Sequence, residues 1–343
     1  MRSPVLLRLI QLAAGVGILF LLARQANPKA VMAALARLSV ADILVTMAGF
    51  LLASLCIGAS LLVLLPPSKT PGGTKRLFQA HLAGVLLSDI TPARSGYFLT
   101  PLLLERLASV PQEAGFAALT GMQAASLVSK SALAALGMVF VGRTIEGSLM
   151  AAEITRYALP GSVLLATAGL GFAILVWTPV LEWGLRQLRR LAPGVSGQRV
   201  VLRTAERIAR FRAGGQLGYR RAPLAAGLAA ASTVAAGLAL YFVAQAVGLR
   251  SLRALDVVMV SFVVGPLIYL PVTPGGLGVM EAGYILVLTA MGQDRSSVLA
   301  FALASRALFT GTDLVGLPWL LMGLAKPQKT RAGSHWPEVG LPG

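Results

Sequence analysis

A chain of 343 residues that is 56% hydrophobic and 13% charged is too apolar for an ordinary soluble domain, in which roughly a quarter of residues carry charge. Its net charge of +17 suggests a nucleic-acid partner. The basic residues, however, sit between apolar runs, where the positive-inside rule puts them and where they meet anionic lipid, so nucleic acid is set aside. One cysteine and two histidines offer neither an intramolecular disulfide nor a metal cluster.

Apolar runs fall at 5–23, 42–65, 77–104, 114–141, 158–182, 223–248, 257–292 and 298–325. Most reach the length of about 20 residues that a helix needs to cross a bilayer. The first follows Arg2 and Arg8 and reads as a span rather than a cleaved leader. Between the first two runs, Val31, Met32, Leu35 and Leu38 recur at helical spacing, which predicts an interfacial helix over 28–38.

Two runs are interrupted. The first carries Asp89-Ile-Thr-Pro-Ala-Arg-Ser-Gly96, and the second Leu270-Pro-Val-Thr-Pro-Gly-Gly-Leu-Gly-Val-Met-Glu281. Proline removes a backbone donor and glycine favours irregular conformations, so each helix breaks at membrane depth. Such backbone is tolerated only where protein buries it or a cavity lies beside it.

Between Gly184 and Ala222 stand ten arginines, of which Arg199, Arg203, Arg207 and Arg210 share one helical face. The segment reads either as a basic amphipathic helix on the inner leaflet or as a solvated loop; both make 183–222 cytoplasmic. If 77–104 crossed straight through, with Arg2 and Arg8 inside, those arginines would lie outside. If 77–104 instead enters, breaks and returns, 19 basic residues lie inside, 8 outside and three, Arg94, Lys130 and Arg306, within the membrane. The run 257–292 then enters and returns from the opposite face.

The expected fold is therefore an all-α polytopic membrane protein. It has about six full spans and two re-entrant helical hairpins in an inverted-topology repeat. Residues 1–325 form a single transmembrane domain, with halves 1–142 and 158–325 and both termini cytoplasmic; 326–343, with three prolines, is a disordered cytoplasmic tail. Thr91-Pro92 with Gly96 aligns on Thr273-Pro274 with Gly278, and Leu127-Val-Ser-Lys130 on Leu303-Ala-Ser-Arg306.

Ionisable groups at membrane depth mark either helix-tying pairs or a substrate path, and here they are Asp89, Arg94, Lys130, Glu281, Arg306 and Asp313. Gln123, Ser126 and Lys130 form one polar stripe, and Arg306, Thr310 and Asp313 another, at equivalent places in the two halves. These stripes, with Thr91, Pro92, Arg94 and Gly96 of one tip and Thr273, Pro274, Gly275, Gly276, Gly278 and Glu281 of the other, are the expected walls of one transport path. Helix N-termini restarting after Gly96 and Gly278 favour an anion, and Arg94 has the fork to grip a phosphate. Glu281 stands where a carboxylate stabilises a helix start, or contacts a cationic headgroup.

The stretch Pro271–Glu281, with Gly292 and Ser305-Arg306 downstream, resembles the signature of the flippase-like membrane family: the transmembrane region of lysylphosphatidylglycerol synthases and their stand-alone relatives. Thr91-Pro-Ala-Arg-Ser-Gly96 is similar to that family's first motif, with Tyr97 where the family commonly has glutamate. If that glutamate reads a cationic headgroup, a different lipid is expected here. The chain stops at Gly343, with no soluble aminoacyl-transferase domain after the membrane region, so the resemblance implies lipid translocation rather than synthesis.

The expected function is a flippase or transporter moving a polar- or anionic-headgroup lipid, such as a phospholipid or an aminoacylated or glycosylated lipid, across the inner (cytoplasmic) membrane. The expected partners are membrane lipids and a lipid-biosynthesis enzyme; no cofactor and no metal is expected. The alternatives are an intramembrane lipid-modifying transferase, against which the lack of a histidine motif or a close carboxylate pair speaks, and a non-catalytic membrane partner of a lipid-biosynthesis enzyme. With no phosphate-binding glycine loop, transport draws on a gradient or on trapping of product, with Glu281 or Asp313 as the proton carrier.

Overall fold

The computed structural model describes residues 13–18, 20–21, 27–65, 73–91, 94–145, 149–191, 208–209, 211, 219–270 and 272–325. The expectations for Pro92, for the arginine face at 199–210 and for the tail 326–343 lie outside the described residues, as does most of the first run, which is helical at 13–18 and 20–21.

Every regular element among the described residues is helical. In chain order they are α1 (Pro28–Leu35), α2 (Val40–Leu64), α3 (Gly73–Asp89), α4 (Thr100–Ala108), α5 (Gln112–Thr144), α6 (Leu149–Trp177), α7 (Val180–Leu191), α8 (Ala222–Ala246), α9 (Ala254–Val264), α10 (Val279–Ala290), α11 (Arg295–Asp313) and α12 (Leu317–Ala325). Five segments are long and apolar enough to cross a membrane: Val40–Leu64, Gln112–Thr144, Pro160–Trp177, Ala222–Ala246 and Arg295–Ala325. They coincide with five of the six runs expected to span. The first turns are fixed locally. The Asn27 side chain accepts from Lys29 N at 3.0 Å and starts α1. Ser39 and Asp42 cap α2 reciprocally at 3.1 and 3.0 Å.

Three boundaries differ from the sequence reading. The run 158–182 is not one helix: α6 ends at Trp177, and α7 starts at Val180 and carries on to Leu191, into the basic segment. Helix α6 begins at Leu149, upstream of the apolar run. The last run is not one uniform helix: it tightens to 3-10 over Leu314–Gly316 before α12. The reason lies at Gly316, where a Cβ would collide with the backbone carbonyl of Leu82 on α3. We expect Gly316→Leu to cost about 1–3 kcal/mol by overpacking, and Gly311→Ala, which meets nothing within 4 Å, to be neutral. Thermal denaturation of the two purified variants checks this.

Both interrupted runs fold as helix, break, helix. In the first, α3 gives way to an irregular tip and a 3-10 turn over Ser95–Leu99, and α4 then packs back on α3. Gly84 of α3 sits so close to Thr100, the first residue of α4, that a side chain there would overlap the Thr100 hydroxyl. In the second, α9 runs into a 3-10 turn over Gly265–Tyr269, then the tip, and α10 packs back on α9. The base of this hairpin is tied by Ser251 Oγ donating to Gln293 Oε1 at 2.8 Å, so its two ends meet. At 1.5 Å per residue the 17 residues of α3 span about 25 Å and the 12 of α10 about 18 Å, short of the roughly 30 Å hydrocarbon core.

Around the hairpins the long helices pack through small residues and hydroxyls, as expected where lipid removes the hydrophobic drive between helices. Helices α2 and α8 make the most extensive contact. Gly49 lies against Ala239, while Ser232 and Ser60 donate across to the carbonyls of Ala53 and Ala225 at 2.7 and 2.9 Å. Helix α5 packs on α9, with Gly137 against the Met259 carbonyl, and α11–α12 pack on α3. Helix α5 thus meets the first arm of the second broken helix, and α11–α12 the first arm of the first. Buried apolar side chains form two clusters, one around α3 and α4 and one around α9, α10 and α11.

Candidate functional site

The two tips touch. Gly275 N donates to Thr91 O at 3.4 Å, and Gly275 stands against the Asp89 carbonyl. Each tip is closed by its threonine. Thr91 Oγ1 accepts from Gly96 N at 2.6 Å and donates to Ser88 O at 3.0 Å; Thr273, fully buried, donates to Leu277 O at 2.8 Å. A Cβ at Gly96 would run into the Leu87 carbonyl. Gly275, Gly276 and Gly278 have φ of +54°, +72° and +81°, a region that costs side-chain-bearing residues about 1–2 kcal/mol each. Gly276→Ala is expected to lose about that much, read as a lower melting temperature.

At the second tip a helix restarts at Val279, and its N-terminal charge is already taken. Glu281 Oε2 accepts from Gly278 N at 2.7 Å, while Oε1 accepts from Arg306 Nε at 2.7 Å. Arg306 Nη1 donates to Gly275 O at 2.9 Å. One guanidinium therefore fastens α11 to both the tip and the first turn of α10. Of the two readings of Glu281, the helix-start carboxylate is the one seen. At the first tip the expected restart after Gly96 is displaced. Gly96 lies inside the 3-10 turn and the α-helix begins at Thr100, because Thr91 holds Gly96 N back toward α3. Arg94, in the left-handed region at φ 56°, is likewise engaged: Nη2 meets Asp89 Oδ1 at 2.7 Å, Nε donates to Ser88 Oγ at 3.1 Å, and the guanidinium lies 5.6 Å from the Phe309 ring centroid.

Beside the tips lies a central cavity of about 220 Å³. Helices α2, α3, α5, α8, α9, α10 and α11 all contribute to its wall. Of the expected path residues, Arg94, Gln123, Ser126, Lys130, Glu281, Arg306 and Asp313 line it. Thr91, Gly96, Thr273, Pro274, Gly275, Gly276 and Gly278 instead build the tips. The stripe Gln123, Ser126, Lys130 faces the cavity as spaced. The second stripe is corrected: Ala302, Ser305, Arg306, Phe309 and Asp313 form the wall, and on a 100° helix this face leaves Thr310 turned to its edge.

The charges are unevenly partnered. Arg94 has Asp89 and Arg306 has Glu281. Lys130 Nζ donates to the Tyr269 hydroxyl at 2.7 Å, a neutral group. Facing the cavity, Arg306 Nη2, Ser305 Oγ and Asp313 Oδ2 are buried without a hydrogen-bond partner, and such groups are costly unless something satisfies them.

Sequence reasoning missed the tyrosines of this wall, and with them His81. His81 is 1% exposed; its Nε2 lies 2.9 Å from the Ser54 carbonyl and its Nδ1 2.6 Å from the Tyr97 hydroxyl. A carbonyl only accepts, so Nε2 carries the hydrogen and Nδ1 accepts from Tyr97. Tyr97 is thereby the hydrogen-bond donor to a buried histidine. Its only sequence signal was its place after Gly96. Tyr97→Phe leaves Nδ1 unsatisfied and is expected to cost about 1–3 kcal/mol, measured by thermal denaturation.

Helices of membrane length packed through small residues, with two broken helices meeting at a charged central cavity, define a multi-pass membrane protein built around a polar site. The family described as the lysylphosphatidylglycerol synthase TM region matches residues 8–312, and the chain belongs to that family. Comparison with curated proteins and with solved structures gives no significant match.

Proposed function

We propose that the protein moves a lipid with a polar or anionic headgroup across the cytoplasmic membrane. The reading rests above all on Lys130: an ammonium in a central cavity, at the meeting point of two broken helices, whose hydrogen-bond partner is a neutral phenol. An anionic headgroup supplies the missing charge. The cavity volume is below the roughly 300–1,000 Å³ of pockets that enclose drug-sized ligands, so the headgroup enters and the acyl chains stay in the bilayer. Membership of a lipid-linked membrane family supports the same reading.

In this proposal the hairpins are re-entrant and the halves form an inverted repeat with six full spans and cytoplasmic termini. The reciprocal packing of α5 on α9 and of α11–α12 on α3 supports it. So does the tie between Ser251 and Gln293 at the base of the second hairpin. Rocking of one half against the other moves access to the cavity from one leaflet to the other, around a fixed site at the touching tips. The test is reconstitution into vesicles carrying a fluorescent phosphatidylglycerol, with a membrane-impermeant quencher reporting label that changes leaflet. Exchange well above that of protein-free vesicles supports the proposal; exchange equal to theirs overturns it.

A further inference from the structure

Once Arg94 is paired with Asp89 and Arg306 with Glu281, the described cavity wall keeps one further cationic side chain, Lys130 on α5, and one further carboxyl, Asp313 on α11. Asp313 is 6% exposed. It ends α11, which packs on α3, the helix that ends at Asp89; Asp313 lies within electrostatic reach of Asp89 and of Arg94, the cation bound to Asp89. Asp89 Oδ2 and Asp313 Oδ2 are each buried with no donor. Two neighbouring buried carboxylates have no hydrogen to share and repel one another, and one guanidinium cannot compensate both. A single proton between them changes this. It supplies the missing donor, removes the surplus negative charge, and leaves Arg94 matched to the one charge that remains.

We propose that Asp89 and Asp313 form a proton-binding site, and that binding of the anionic headgroup near Lys130 and binding of this proton are coupled, so that lipid and proton cross together. This rests on the lipid-translocation reading above and adds its energy source.

The charge count gives the coupling its sign. With the proton in place, Arg94, Lys130 and Arg306 stand against Glu281 and a singly charged Asp89–Asp313 pair, and these groups together carry one surplus positive charge. A monoanionic headgroup cancels it. With the proton gone the set is neutral, and an entering anion is uncompensated in a medium that penalises bare charge. Anion binding therefore favours proton binding, and the converse holds by reciprocity. Among the described residues, other charged or titratable groups on the elements around the pair have partners of their own: on α4, Glu105 accepts from Gln112 and Arg106 donates to the Gly323 carbonyl. Arg94 contacts Asp89. Tyr269, from the 3-10 turn after α9, is hydrogen-bonded to Lys130. His81, further back on α3, is held by Ser54 and Tyr97. Helix α12, which packs on α3, has no ionisable side chain. Glu281 is not the proton carrier, because both its oxygens are already used.

The experiment uses the full chain in vesicles containing fluorescent phosphatidylglycerol, with the membrane potential clamped, protein-free vesicles as the blank and a pH-sensitive dye in the lumen. With the outside one pH unit more acid, the wild type is expected to concentrate label in the inner leaflet toward a limit of about tenfold for one proton per lipid, with acidification of the lumen. Reversing the gradient reverses both. Asp313→Asn and Asp89→Asn are expected to lose gradient-driven accumulation and lipid-dependent proton uptake; their melting profiles in detergent show whether each is folded. Wild-type exchange that ignores the gradient, or a folded Asp313→Asn that still accumulates label, overturns the proton site while leaving lipid translocation intact. No wild-type exchange at all overturns the translocation reading itself, and this inference with it.

Discussion

Arg306→Ala is expected to destabilise the purified protein by about 3–5 kcal/mol, the cost of leaving one member of a buried ion pair alone, and to abolish transport. The guanidinium serves two acceptors on two elements: Glu281 Oε1 on α10 and the Gly275 carbonyl at the tip. Removing it strands a carboxylate that is 2% exposed and frees the tip from α11. The Arg306→Lys variant does not restore the wild type, because one ammonium on a flexible stem cannot reproduce a planar fork that reaches two acceptors. Glu281→Gln introduced into Arg306→Ala should recover part of the loss by neutralising the stranded charge, with a coupling of about 0.5–3 kcal/mol. Thermal denaturation in detergent of the four members of this cycle measures it. Simple additivity would mean that the pair does not hold the tip.

Lys130→Met is the second large expectation, and its pattern is the opposite. The ammonium donates to a phenol rather than to a carboxylate, so its removal strands no charge and the melting temperature should stay near that of the wild type. Transport of an anionic lipid should fall about 10- to 100-fold, the equivalent of one charge-assisted hydrogen bond to the headgroup. Transport of a headgroup without net charge should fall less. A stable Lys130→Met protein with unchanged exchange of fluorescent phosphatidylglycerol would remove Lys130 from the path. The contrast separates the roles of the two cations: Arg306 holds the scaffold, Lys130 meets the cargo.

Much of the architecture was legible because the bilayer imposes lengths. Apolar runs of spanning length became α2, α5, α6, α8 and α11–α12, and the runs carrying Thr-Pro and glycine became broken helices, since proline and clustered glycine cannot continue a helix. The positions of Lys130, Arg306 and Asp313 on the cavity wall were legible for the same reason: charge at membrane depth has to face an interior. Which charges pair was not legible. Arg94 was read as a phosphate grip and is seen bound to Asp89 and Ser88; that pairing depends on the left-handed turn of the tip, which no spacing rule supplies. Thr310 was misassigned because three polar positions leave the centre of a helical face undefined, and Phe309 rather than Thr310 marks it. Tyr97 and Tyr269 were missed because an aromatic side chain in an apolar run gives no periodic signal until its hydroxyl has found a partner.

Side-specific labelling of single cysteines, in a Cys56→Ala background, tests the central claim most directly. Two pairs flank the hairpins: Lys75→Cys with Ser109→Cys, and Ser251→Cys with Gln293→Cys. A membrane-impermeant thiol reagent should reach both members of the first pair from the cytoplasmic face and both members of the second from the opposite face. Labelling of Lys75→Cys and Ser109→Cys from different faces would make the first broken helix an ordinary crossing and contradict the account.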